Sequence, residues 1–176
     1  MFKFKIGSLK LLNFVVILSL LAGCGFHLRG TFSIPQSLQT LQVLPNQPYD
    51  AFQRTLRQLL KSNNITIVDP SVAETTKVAT LTILSQTFSE RTIAYGSNGL
   101  PNRAVLELKI SYQLTNAQGK PLGNNTLVTV ERELTLNPNA VLGTDNERSH
   151  LQTDLYRDAA SQLVRQLSMI PDHEER

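Results

Sequence analysis

The 176-residue chain contains one cysteine, Cys24, no tryptophan, two methionines and three histidines. A lone cysteine excludes an intrachain disulfide and a thiolate-built zinc site, so the fold must rest on burial of apolar side chains. The histidines, His27, His150 and His173, lie far apart and none stands in the H-E-x-x-H spacing of a zinc hydrolase. No serine occupies a G-x-S-x-G elbow. The segment "YGSNG" has glycines but neither the lysine nor the strand-to-helix setting of a phosphate loop, and reads as a tight turn. Glu131 and Glu133 share one strand face, where they read as solubilising charges rather than as a catalytic carboxylate pair. Nothing here points to an enzyme, a metal site or a bound cofactor.

A membrane-spanning run is also lacking. The longest apolar stretch, Leu11 to Leu21, is interrupted by Asn13 and Ser19, whereas spanning takes about 20 apolar residues. Preceded by Lys3, Lys5 and Lys10, it has the layout of an export signal. Leu21-Ala22-Gly23-Cys24 follows and resembles a bacterial lipobox, with small residues where a signal peptidase needs an unobstructed chain. The expectation is cleavage between Gly23 and Cys24, with an S-diacylglycerol and an N-acyl lipid on Cys24. Each buried methylene adds about 0.8 kcal/mol, so several acyl chains together make a permanent anchor. Gly25, in place of an aspartate, is compatible with delivery to the outer membrane, on its periplasmic side.

Processing changes the charge balance. The whole chain carries 17 Lys plus Arg against 14 Asp plus Glu. Residues 1–23 hold three lysines and no acid, so 17 − 3 = 14 against 14 remain. A formally neutral mature chain offers no electrostatic footprint for nucleic acid. Four parts are expected: a signal peptide over 1–23, a lipidated tether over 24–35, one domain over 36–170 and a charged tail over 171–176.

Within the domain, Leu41 and Val43 alternate with polar neighbours as a strand bounded by Pro35 and Pro45. Asp50 is placed to cap a helix whose stripe is Phe52, Leu56, Leu59 and Leu60, stopped by Asn63 and Asn64. The run "ITIVDP" is short and extended and leads toward the next strand, "KVATLTILSQTFSER". A polar loop, "TIAYGSNGLPN", separates it from "RAVLELKISYQLT", where Ala104, Leu106, Leu108, Ile110, Tyr112 and Leu114 share one face. "TLVTVERELT" supplies a further strand, with Arg132 falling on its apolar side. A long helix closes the chain, with Thr144 and Glu147 in capping-box spacing, Leu151, Leu155, Ala159 and Leu163 repeating at i+4, and Pro171 at its end. The order predicts an α+β two-layer sandwich: a mixed four-stranded sheet with two helices packed on one face.

Two stretches resemble one family. "AGCGFHLRG", residues 22–30, resembles the start of mature LPS-assembly lipoproteins of the LptE family. "NPNAVLGTDNERSHLQTDLYRDAASQLVRQL", residues 137–167, resembles that family's closing helix. The resemblance implies a non-enzymatic lipoprotein that plugs and helps assemble the outer-membrane β-barrel LptD and takes part in lipopolysaccharide transport. It also implies lipopolysaccharide contacts through basic residues near the sheet. This chain departs from that pattern at "GSNGLPNR" and at the uncharged Thr144, which leaves Arg91 and Arg103 as the candidate contacts. The competing reading is a lipoprotein that regulates a periplasmic peptidoglycan synthase. About a dozen residues between Cys24 and the first strand, at roughly 3.3 Å each, give it little reach across the periplasm.

Cys24→Ala is expected to block acylation. Mass spectrometry of the membrane fraction should show the unprocessed, unlipidated precursor; a normally cleaved product would refute the anchor.

Overall fold

The computed structural model describes residues 34–45, 47, 49–69, 73, 77–137 and 140–171. The expected signal, Cys24 with residues 24–33 of its tether, His27, His173 and residues 172–176 of the tail lie outside the described residues.

A single 3₁₀ turn, Gln36–Leu38, leads into strand β1, Thr40–Leu44, in which Leu41 and Val43 are buried as their alternation requires. Helix α1 spans Ala51–Ser62. Asp50 caps it as expected, its carboxylate accepting the Gln53 N–H at 2.8 Å. Phe52, Leu56 and Leu60 are buried on one stripe. Asn63 ends the helix, and Asn64 takes a left-handed φ of 62° that asparagine tolerates. Arg57 reaches back from α1 to donate to the Val43 carbonyl at 3.1 Å, tying the helix to the end of β1.

The run read as a lead-in is a strand of its own. β2, Thr66–Val68, pairs parallel to β1 through Thr40↔Thr66, Leu41↔Ile67 and Gln42↔Val68. The sheet therefore has five strands rather than four, in the order β2-β1-β3-β4-β5. Three residues are too few to show a period, and their strand character is decided by pairing across α1.

β3, Ala79–Tyr95, and β4, Pro101–Thr115, form a long antiparallel hairpin. The anticipated polar loop contracts to Gly96–Leu100. Ala94↔Arg103 and Tyr95↔Pro101 continue the ladder through residues expected to be loop. The turn is closed by Gly96 N–H donating to the Leu100 carbonyl at 2.8 Å, with Gly99 at φ 75°. Pro101 is tolerated because it opens its strand, where a missing N–H costs least.

A bulge between Ile83 and Ser85 changes the phase of β3. Before it, Ala79, Leu81 and Ile83 face the helices; beyond it Gln86, Phe88, Glu90 and Thr92 do, across from Ile110, Leu108, Leu106 and Ala104. β5, Thr126–Thr135, completes the antiparallel part, with Val128 and Leu134 buried.

Helix α2, Val141–Ser168, lies on the same face as α1 and packs on α1, β4 and β5. At 1.5 Å per residue its 28 residues reach about 42 Å. It begins before the expected cap. Ala140 holds the N-cap position without a side-chain bond, and Thr144 sits inside the first turns, its hydroxyl bonded to the Ala140 carbonyl and the Asn137 N–H. Thr144 is thus buried as a bracket between helix and entering chain, a use that leaves no room for the capping box.

Leu155, Ala159, Leu163 and Leu167 are fully buried along α2, with Ala160 and Val164 beside them. Phe52 and Tyr156 join the helices, their ring centroids 6.4 Å apart at 54°. The Tyr112 hydroxyl donates to Gln166 Oε1 at 2.8 Å, satisfying a polar tip that burial would otherwise penalise; burial also raises the phenol's pKa.

Leu155→Asp is expected to place an unpaired carboxylate between α2 and the sheet, costing several kcal/mol. Thermal unfolding should show loss of the cooperative transition, while Thr153→Asp on the exposed side leaves it in place.

Candidate functional site

On the sheet face turned away from the helices, β3, β4 and β5 form cross-strand rows. The register sets Ala94, Arg103 and Thr135 in one row, Arg91, Val105 and Glu133 in the next, then Ser89, Glu107 and Glu131. Arg91 and Arg103, the two residues expected to contact lipopolysaccharide, are diagonal neighbours on this face beside the hairpin end. The strand expected to end at Arg91 runs on to Tyr95, so Arg91 stands inside β3.

Both guanidinium groups are exposed. Arg103 approaches Glu133 at 3.7 Å with both side chains more than half accessible, a pair that contributes little and competes weakly with a ligand. Glu133 is therefore a partner of Arg103, and Glu131 stands across from Glu107. Lys109 donates to Glu107 Oε1 at 2.6 Å, and this hydrogen bond is the main reason the Glu107 pKa is lowered. The face is a lattice of compensated charges, and Arg91 adds a positive group near its upper end.

That end also carries Ile93, Tyr95 and Leu100, all large and exposed. Sequence alone hides this grouping, because the turn formers around Ile93, Tyr95 and Leu100 predict a polar loop. Guanidinium groups beside exposed apolar side chains suit an amphiphile with anionic and hydrocarbon parts.

On the helix face the same hairpin is held by ions. Arg148 of α2 donates to both carboxylate oxygens of Glu90, at 3.0 and 3.3 Å, and to Asp145 at 2.5 Å. The Glu90 hydrogen bond leads the causes that raise the Arg148 pKa. Arg132, on the apolar side of β5 where its alternation puts it, pairs with Asp158 of α2. The Arg148–Glu90 bridge has no signature in the sequence, since a contact between residues 58 positions apart leaves no local pattern.

His150 is exposed on α2. Among the described residues, no group of three or more His, Cys, Asp or Glu could hold a metal ion, and no helix is long and apolar enough to cross a membrane. A recess of about 970 Å³ lies at the opposite end of the sheet, lined by Ser37, Asn116, Lys120, Leu122, Gln166 and Met169 among others; it contains neither arginine.

With that geometry in place, comparison with known proteins agrees on one relationship. Residues 38–167 match the family model described as LptE, lipopolysaccharide-assembly. An LPS-assembly lipoprotein LptE of Yersinia pestis (strain Pestoides F) is 36% identical over 148 residues, covering 83% of this chain and 69% of that protein. Among solved structures, a minor lipoprotein of Acinetobacter baumannii superposes with a TM-score of 0.61 at 22% identity, covering 74% of this chain and 91% of the other. Lipoprotein B of Nitrosomonas europaea superposes with a TM-score of 0.64 at 19% identity, covering 82% and 90%. These two share the fold, two helices on a mixed sheet. On the family match and the identity to its curated relative, the chain belongs to the LptE family of lipopolysaccharide-assembly proteins and is not an enzyme.

Proposed function

We propose that this protein is an outer-membrane lipoprotein, anchored on the periplasmic side through lipid on Cys24. It acts as plug and assembly partner of an LptD-type β-barrel in the transport of lipopolysaccharide and its insertion into the outer leaflet. Family membership across residues 38–167 carries this reading. The signal-like start, the lipobox-like Leu21-Ala22-Gly23-Cys24 and Gly25 support the anchor and its membrane.

Arg91 and Arg103 supply the lipopolysaccharide contact in this reading. Their guanidinium groups match phosphate oxygens, while Ile93, Tyr95 and Leu100 match acyl chains. The protein contributes recognition and shape to the transport step and makes no covalent change in the glycolipid.

Detergent extraction followed by affinity purification of the full chain is expected to recover a large β-barrel in stoichiometric amount; recovery of the chain alone would refute the partnership. Arg91→Ala combined with Arg103→Ala should weaken binding to purified lipopolysaccharide roughly tenfold in low salt, with an unchanged melting temperature. Equal affinity would remove both residues from the contact.

A further inference from the structure

Among the described residues, β3 is only partly covered along the edge it turns toward β1. Pairing with β1 runs from Leu41↔Ala79 to Leu44↔Thr82 and stops there, while β3 continues to Tyr95. Among the described residues no strand pairs with that edge beyond Thr82. Between the bulges at Ile83/Ser85 and Thr92/Ala94 the ladder with β4 is regular from Ser85 to Thr92. In an antiparallel ladder alternate residues turn both backbone groups away from their partner, so about four of these eight present N–H and C=O to the open edge.

The two long edges of the sheet are treated differently. β5 carries Glu131, Arg132 and Glu133 in succession, and the Arg132 guanidinium donates to the Glu131 carbonyl at 3.0 Å while also pairing with Asp158. Such charges and a capped carbonyl are how edge strands resist pairing. Ser85–Thr92 has no proline and no lysine. Its outer side chains are Ser85, Thr87, Ser89 and Arg91, and on the inner side the Glu90 carboxylate is turned toward Arg148. Leu84 and Ile93 stand exposed at its two ends.

We propose that the β3 edge from Ser85 to Thr92 is a strand-addition site that takes one extended segment of a partner protein. Only another main chain offers alternating donors and acceptors at the matching spacing, and eight residues span about 26 Å. Arg91, exposed on the outer face, calls for a carboxylate on the added strand beside it. A second copy of this chain fits poorly. Paired antiparallel about Ser89 or an earlier residue, it drives the hairpin end into β1; paired about Glu90 or Arg91, it opposes like charges. The main-chain pairing does not rest on the lipopolysaccharide contact proposed above, with which it shares only Arg91.

Hydrogen exchange, read residue by residue, separates the possibilities. In the overproduced full chain purified alone, alternate amides of Ser85–Thr92 are expected to exchange rapidly; in the complex extracted from membranes in mild detergent they should slow at least a hundredfold. Rates that do not differ, slowing confined to Thr126–Thr135, or protection already present in the chain alone would each overturn the proposal. Adding lipopolysaccharide to the chain alone should leave these amides fast, and protection by it would assign the edge to glycolipid instead. Arg91→Glu is expected to reduce the co-purified partner at least tenfold without lowering the melting temperature, whereas Lys109→Glu, one strand further in, retains it. Equal retention by both variants overturns the carboxylate contact.

Discussion

Six side chains of β4, Ala104, Leu106, Leu108, Ile110, Tyr112 and Leu114, stand in one row and are at most 4% exposed, which requires a cover across the strand. Burying Leu106, Leu108, Ile110 and Leu114 at about 2 kcal/mol each gives roughly 8 kcal/mol, comparable with the whole net stability of an ordinary domain. α2 supplies part of that cover with Leu155, Ala159, Leu163 and Leu167, and α1 adds Phe52, Leu56 and Leu60. Everything else in the sheet is arranged around this row. β3 and β5 flank it, and β1 and β2 extend the layer under α1.

That one-sided burial sets up the candidate surface. Among the described residues both helices occupy one face, and the rows of Ser, Thr, Glu, Lys and Arg on the other are polar without being strongly charged. The hairpin projects past the end of β1 and is steadied there by Arg148 bridging Glu90 and Asp145. The projecting hairpin carries arginines and exposed apolar residues at its end, apart from the packed core. This division of labour suits an assembly protein, whose work is done by surfaces held in place by a packed layer.

Much of the layer arrangement was legible in order and period. The β4 alternation, the Asp50 cap, the α1 stripe and the i+4 repeat of α2 all stand where local patterns put them. Where reading failed, a nonlocal interaction had intervened. Thr144 looked like a cap because its spacing to Glu147 fits one, but its hydroxyl is used between Asn137 and Ala140. "TIAYGSNGLPN" looked like a loop because turn formers dominate it, yet cross-strand pairing holds its first four residues in β3. β2 was missed because three residues show no period.

By itself, then, the sequence determined which residues are apolar at strand or helix spacing, where Cys24 stands after an apolar run, and which family the ends resemble. These properties are local and survive in an unfolded chain. Tertiary structure decided the rest: the bulge that turns Glu90 toward Arg148 and leaves Arg91 outside, the diagonal placement of Arg91 and Arg103, and the edge of β3 left unpaired beyond Thr82 among the described residues. Each depends on register between strands, and register is fixed by packing and hydrogen bonding between segments far apart in the chain, to which no local pattern refers.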